Sequence, residues 1–206
     1  TIQYHASTAI RMINKVPKDD WQYLLPFLVC TICFITTDLF GILEKTSFAY
    51  WSGRLLFEPY RIITSHFFHG DVNHLLANFS GIIVVRYFLK ALKLTSNYFF
   101  IAFISLMIPL QTFILWFLDI FVIGNYMSLV IGFSGILFGM DAFILMTTIY
   151  GKKRFLSLKC NLKKDLQLFR SIFILTGIGI IWSFLPGISF LGHMSGLLAG
   201  FLLFWV

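Results

Sequence analysis

Six apolar stretches fill most of this 206-residue chain: Trp21–Leu43, Ile62–Leu89, Tyr98–Ile123, Ser134–Tyr150, Leu168–Leu185 and Phe190–Val206. A bilayer core about 30 Å thick requires roughly 20 apolar residues per crossing helix, and each stretch meets or nearly meets that length. Composition agrees. The chain is 58% hydrophobic and only 12% charged, whereas a soluble domain carries about 25% charged residues. Too few charges remain to cover a water-facing surface, and too much apolar mass is present for disorder. The expected fold class is an all-α membrane protein, a compact bundle of six transmembrane helices. Cys30 and Cys33 form a C-x-x-C inside an unbroken apolar run and, with Cys160 alone elsewhere, read as small apolar fillers rather than a disulfide framework or metal site.

The net charge of +7 would point to nucleic acid in a soluble protein. Here its placement matters more. Basic residues gather in cytoplasmic loops. Arg11, Lys15 and Lys18 precede the first stretch; Arg86, Lys90 and Lys93 follow the second; seven more lie between Lys152 and Arg170. Only Lys45, Arg54 and Arg61 fall on the other side. The alternation predicts a basic cytoplasmic tail over residues 1–20, a six-span domain over 21–206, and no nucleic-acid partner. The first stretch is longer than a signal-peptide core and no A-x-A-like cleavage site follows it, so it reads as a retained helix. The outer loop Glu44–Arg61 is aromatic and weakly charged, which suits the membrane interface. The Lys152–Lys164 run reads as a solvated loop against anionic lipid. There are no internal repeats, so nothing points to inverted transporter halves.

Polar residues inside spans are costly and usually functional. Three clusters enter three different spans from one side of the membrane. They are His66-Phe-Phe-His69-Gly-Asp-Val-Asn-His74-Leu-Leu-Ala-Asn78, Gly132-Phe-Ser134-Gly135-Ile-Leu-Phe138-Gly139, and Gly192-His193-Met-Ser195-Gly196-Leu-Leu-Ala-Gly200. A serine needs an adjacent base to act as a nucleophile, and histidine is the usual base near neutral pH. Ser134 and His193 can form that pair if the fourth and sixth helices touch. Gly135/Gly139 and Gly196/Gly200 are small-xxx-small stripes that permit close helix approach. His74 and Asn78, at i and i+4, share a helix face, and both can donate to a developing oxyanion. Asp141 is too deep to orient His193.

Each cluster has a plainer reading on its own. Gly-Ser pairs pack helices, a His/Asn pair can bond helices together, His193 can be a satisfied core histidine, and His66 and His69 lack the partners of a metal site. These readings do not explain why three clusters share one face of the membrane.

The motifs G-x-S-G-x-x-x-G over Gly132–Gly139, H-x-x-x-N over His74–Asn78 and H-x-x-G-x-x-x-G over His193–Gly200 resemble the rhomboid intramembrane serine proteases in order, spacing and topology. The resemblance runs from about Trp21 to Val206. It implies a rhomboid-type bundle that cleaves membrane protein substrates in or near their membrane-spanning segments, with no cofactor and no metal. It implies Ser134 as nucleophile, His193 as base, and Asn78 and His74 as the oxyanion pair. Gly132, Gly135, Phe138 and His69 would support the site, and Gly139, Gly196 and Gly200 would pack the helices. Tyr60-Arg61 stands where relatives carry Trp-Arg, Gly192 where Ala is common, and Phe138 where Tyr is frequent. The expected location is a prokaryotic plasma membrane, N-terminus inside and active site opening outward. The alternatives are a non-catalytic relative that binds or translocates client helices, a proton path through the histidines and Asp141, and a relative that processes C-terminal sorting tails.

Overall fold

The computed structural model describes residues 20–206, so the basic tail expected before them lies outside the described residues. Helix α1 (Trp21–Phe34) widens into a π-helical turn, Ile35–Leu39. A short helix α2 (Arg61–Thr64) precedes α3 (Val72–Ala91). Helix α4 (Phe99–Phe117) widens into a second π turn, Leu118–Ile123, which Gly124 ends at φ +73°. Helices α5 (Ser134–Tyr150), α6 (Leu166–Trp182) and α7 (Phe190–Phe204) complete the bundle. By length and composition, Trp21–Leu39, Val72–Ala91 and Phe99–Ile123 can each cross a membrane. The other three are apolar but shorter, at 17, 17 and 15 residues; at 1.5 Å per residue each is about 22 to 26 Å long.

Local chemistry explains the helix starts. The Asp71 carboxylate accepts the His74 backbone N–H at 2.9 Å and caps α3. Asp165 accepts from Gln167 and Leu168 at the start of α6, and Ser189 accepts from Gly192 at the start of α7. Such side-chain acceptors satisfy donors that a first helical turn leaves unpaired.

Two expectations from the sequence are corrected. The stretch Ile62–Leu89 is not one helix. The chain breaks over Ser65–Asp71 and restarts at Val72, because Asp71 caps a fresh helix and Ser65 gives its carbonyl to Gly132 N–H at 2.8 Å. The Lys152–Lys164 run is not simply a solvated loop. It folds into a hairpin, β3 (Lys152–Phe155) against β4 (Leu158–Leu162). Phe155, Cys160 and Leu162 are buried while Lys153, Arg154 and Lys159 are exposed, the side-to-side alternation of a strand with one dry face. Phe155 meets Phe99, Phe103 and Phe143 at ring-centroid distances of 5.3, 5.9 and 5.8 Å. The hairpin thus closes the core at the basic end.

The opposite end is held by the segment from Glu44 to Arg61. Strand β1 (Tyr50–Trp51) pairs antiparallel with β2 (Leu129–Val130), tying that loop to the segment before α5. Arg61 is buried and donates to the carbonyls of Thr46 and Ala49 at 2.8 and 2.6 Å. Its guanidinium also lies 5.9 Å from the Trp51 ring and 5.5 Å from the Tyr60 ring, within cation–π range. Glu58 contacts Arg61, and that partner holds its carboxyl below the usual range. Leu56 and Phe57 stay exposed at the tip.

Candidate active site

Three helix N-termini meet at the site. Ser134 opens α5, His193 lies in the first turn of α7, and His74 lies in the first turn of α3. Their approach is a backbone matter. A Cβ on Gly196 would drive into the Gly135 carbonyl, and one on Gly200 into the Gly139 carbonyl. A Cβ on Gly135 would stand 3.2 Å from Gly192 O, and one on Gly139 would stand 3.0 Å from Gly196 O. Helices α5 and α7 therefore touch main chain to main chain along two turns, a separation open only to glycine.

That spacing sets the distance between the side chains. Ser134 Oγ lies 2.8 Å from His193 Nε2. His193 is 8% exposed and Ser134 is half-buried. The Phe138 ring stacks on the imidazole, with centroids 4.2 Å apart and planes 14° apart. The other ring nitrogen, Nδ1, lies 2.5 Å from Ser183 Oγ, just past the end of α6. Ser183 is a partner that the sequence reading missed. Asp141 makes neither of these contacts.

Beside Ser134 the chain bends at Gly132, whose φ of +120° disfavours any L side chain. A Cβ there would be 2.6 Å from His74 Nε2 and 3.7 Å from Asn78 Nδ2. Both nitrogens thus face the bend that leads into Ser134. His74 Nδ1 accepts the Gly70 backbone N–H at 3.4 Å, which leaves Nε2 as the protonated nitrogen that faces Gly132. His69 supports it from behind: the two rings meet edge to face at 5.0 Å, and His69 Nδ1 reaches the Phe67 carbonyl at 3.2 Å. One Asn78 amide proton goes to the His74 carbonyl at 3.0 Å, and the second stays available.

A second residue escaped the sequence reading. Buried Gln111 on α4 donates to Gly192 O at 3.2 Å and Ser195 Oγ at 3.0 Å, fixing the first turn of α7. Its signal, one glutamine inside an apolar run, carried no spacing to a partner. His66 meets Thr112 Oγ1 at 2.9 Å. Among the described residues, no group of three His, Cys, Asp or Glu side chains could hold a metal ion.

This arrangement places a hydroxyl against an imidazole nitrogen, with donors grouped beside it. No curated protein matches the sequence. The family model for the Rhomboid domain matches residues 56–206, a span that holds every residue of the site just described. With well over half of its length inside that match, the chain belongs to the rhomboid family, a family of intramembrane proteases.

Proposed function

We propose that this protein is a serine-type intramembrane endopeptidase that cleaves transmembrane substrates in or near their membrane-spanning segments. The observation that carries the reading is the 2.8 Å approach of Ser134 Oγ to His193 Nε2, beside two donor side chains at Gly132. Ser134 Oγ attacks the scissile carbonyl carbon as its proton passes to His193 Nε2. The carbonyl oxygen becomes an oxyanion and takes hydrogen bonds from His74 Nε2–H, the free Asn78 N–H and the Ser134 backbone N–H. Collapse expels the amine, which takes the proton from His193 and leaves an acyl-enzyme on Ser134. Water, activated by the same histidine, then releases the second product.

The reading extends to topology. All six long helices cross the membrane, with residues 1–20 and the β3–β4 hairpin on the cytoplasmic side. The serine then lies near the outer face, below the membrane surface. Short helices α5 and α7 help water reach it, since both begin at the site rather than at the full height of the bilayer. The polar Ser65–Asp71 break and the irregular Gly124–Phe133 segment line the approach, which is where non-helical backbone is tolerated at membrane depth. The substrates are membrane proteins whose helix unwinds locally, helped by Gly, Pro or small residues near the cut.

The test is fluorophosphonate labelling of the purified chain together with cleavage of a model transmembrane substrate. Wild type should be labelled and should cleave; Ser134→Ala should do neither while keeping its fold. Cleavage by Ser134→Ala at the wild-type rate would overturn the reading.

A further inference from the structure

We propose that Ser183 is a positioning residue that holds His193 in the tautomer with its proton on Nδ1, leaving Nε2 free to take the Ser134 proton. The proposal rests on the protease reading for its consequence but not for its geometry. Ser183 Oγ lies 2.8 Å from Gly179 O, one turn back on its own helix, and 2.5 Å from His193 Nδ1. A hydroxyl has one proton and two lone pairs. A serine one turn past a carbonyl donates to it by habit, so the proton goes to Gly179 O and a lone pair faces Nδ1. Nδ1 must then be the donor.

Counting protons favours the same arrangement. With the imidazole proton on Nδ1, Ser183 donates to Gly179, His193 donates to Ser183, and Ser134 donates to Nε2. Every polar hydrogen of the three side chains has an acceptor. With the proton on Nε2, it would point at Ser134 Oγ, and the Ser134 hydroxyl proton would have no acceptor among its contacts in the described residues. Ser183 is 1% exposed, so water does not compete for its lone pair. Gly179 serves twice. A Cβ on it would stand 2.8 Å from Phe138 Cζ, so its bareness admits the ring that stacks on His193, while its carbonyl takes the Ser183 proton. Helix α6 thereby fixes both the plane and the proton of the histidine, although Ser183 touches no reacting atom. In the proton balance, the Ser134 Oγ–H bond breaks, the Nε2–H bond forms, and the resulting imidazolium keeps its Nδ1–H···Ser183 bond.

The experiment uses the full chain in detergent micelles. Nitrogen NMR of protein labelled at histidine, with His193 assigned by its loss in His193→Ala, should place the proton on Nδ1 in wild type. In Ser183→Ala it should shift partly to Nε2. The rate of fluorophosphonate labelling should fall about tenfold, the equivalent of one buried hydrogen bond, and cleavage of the model transmembrane substrate should show the loss in kcat and not in KM. Ser183→Thr should restore the labelling rate, while Ser183→Val, nearly its isostere, should not; that contrast separates the hydroxyl from mere packing. A wild-type proton on Nε2, or wild-type labelling by Ser183→Ala, would overturn the proposal. An Nδ1 proton that depends on Ser183 in a chain that no fluorophosphonate labels would instead sink the protease reading and leave this assignment standing.

Discussion

At Gly132 a backbone requirement and a chemical one coincide. Its φ of +120° lies where L side chains are strained, and a Cβ would press on His74 Nε2. Gly132→Ala should cost about 1 to 3 kcal/mol in stability from the backbone alone, and it should also displace a donor. Activity should therefore fall much further than the loss of folded protein explains, which thermal unfolding and turnover on one preparation will separate. Asn78→Ala is the cleaner probe of that donor set, because it removes a group without adding one. Losing one oxyanion donor typically costs about 100- to 1,000-fold in turnover. The loss should fall on kcat, since the oxyanion exists only along the reaction path; a change confined to KM would mean that Asn78 binds substrate instead. Ser134, His193, His74 and Asn78 were legible because each sits in a motif with fixed spacing. Ser183 and Gly179 were not. A serine at the end of an apolar helix and a glycine four residues before it have no pattern that points ten residues on to a histidine of another helix, and only tertiary packing creates their role.

Among the elements, the α5–α7 pair is the most constrained. Its glycines meet backbone to backbone, so any side chain must push the helices apart. Gly200→Val should lower activity and thermal stability together, because it widens the gap that sets the 2.8 Å Ser134–His193 distance. His193→Ala should abolish activity at a smaller cost in stability. If Gly200→Val left both properties unchanged, the two-turn contact would not govern the site. The small-xxx-small stripes were visible in the sequence, as was the helical character of each long apolar stretch. The β3–β4 hairpin was hidden by its charge. Lysines dominate the Lys152–Lys164 run, and the dry face is only Phe155, Cys160 and Leu162, too few for hydropathy to register. The α2–α3 break was hidden for a different reason: apolar segments flank it on both sides, its polar residues read as a cluster inside one span, and Asp71 acts through one capping bond. Phe155→Ala tests the hairpin's place in the core. Truncating a buried Phe costs about 3 to 5 kcal/mol, against almost nothing for an exposed loop residue, and a thermal melt beside Arg154→Ala distinguishes the two.

Across the whole molecule, the two ends of the bundle are fastened differently. The site end relies on strand pairing and on buried Arg61. The basic end relies on the aromatic hairpin contact and on one acidic residue among many basic ones. Asp20, at the start of α1, accepts from Arg86 Nε and Nη2 at 2.9 and 2.6 Å and lies 2.6 Å from Lys90 Nζ. It is the clasp between α1 and the far end of α3. Burial pushes its carboxyl upward, but the hydrogen bonds and charges of Arg86 and Lys90 outweigh that and hold its pKa below the ordinary 3.8. A folded pKa below the unfolded one means that the contribution to stability is complete above the unfolded value. It fades as pH falls through the folded one, when the carboxyl takes a proton in both states. Wild type should therefore lose this contribution only in acid, below about pH 4, and regain it on return to neutrality. Asp20→Asn removes the charge at every pH. At neutral pH it should destabilise by about 1 kcal/mol, below the roughly 1.5 to 3 kcal/mol of a buried hydrogen bond to a charged group, because Arg86 and Lys90 are 37% and 33% exposed. Its stability should then converge on wild type as the pH drops through the acid range, because the two side chains become equally neutral. Thermal melts of both proteins across that range give the difference directly. A gap that stayed constant down to the lowest pH would mean that Asp20 holds α1 by shape and not by charge.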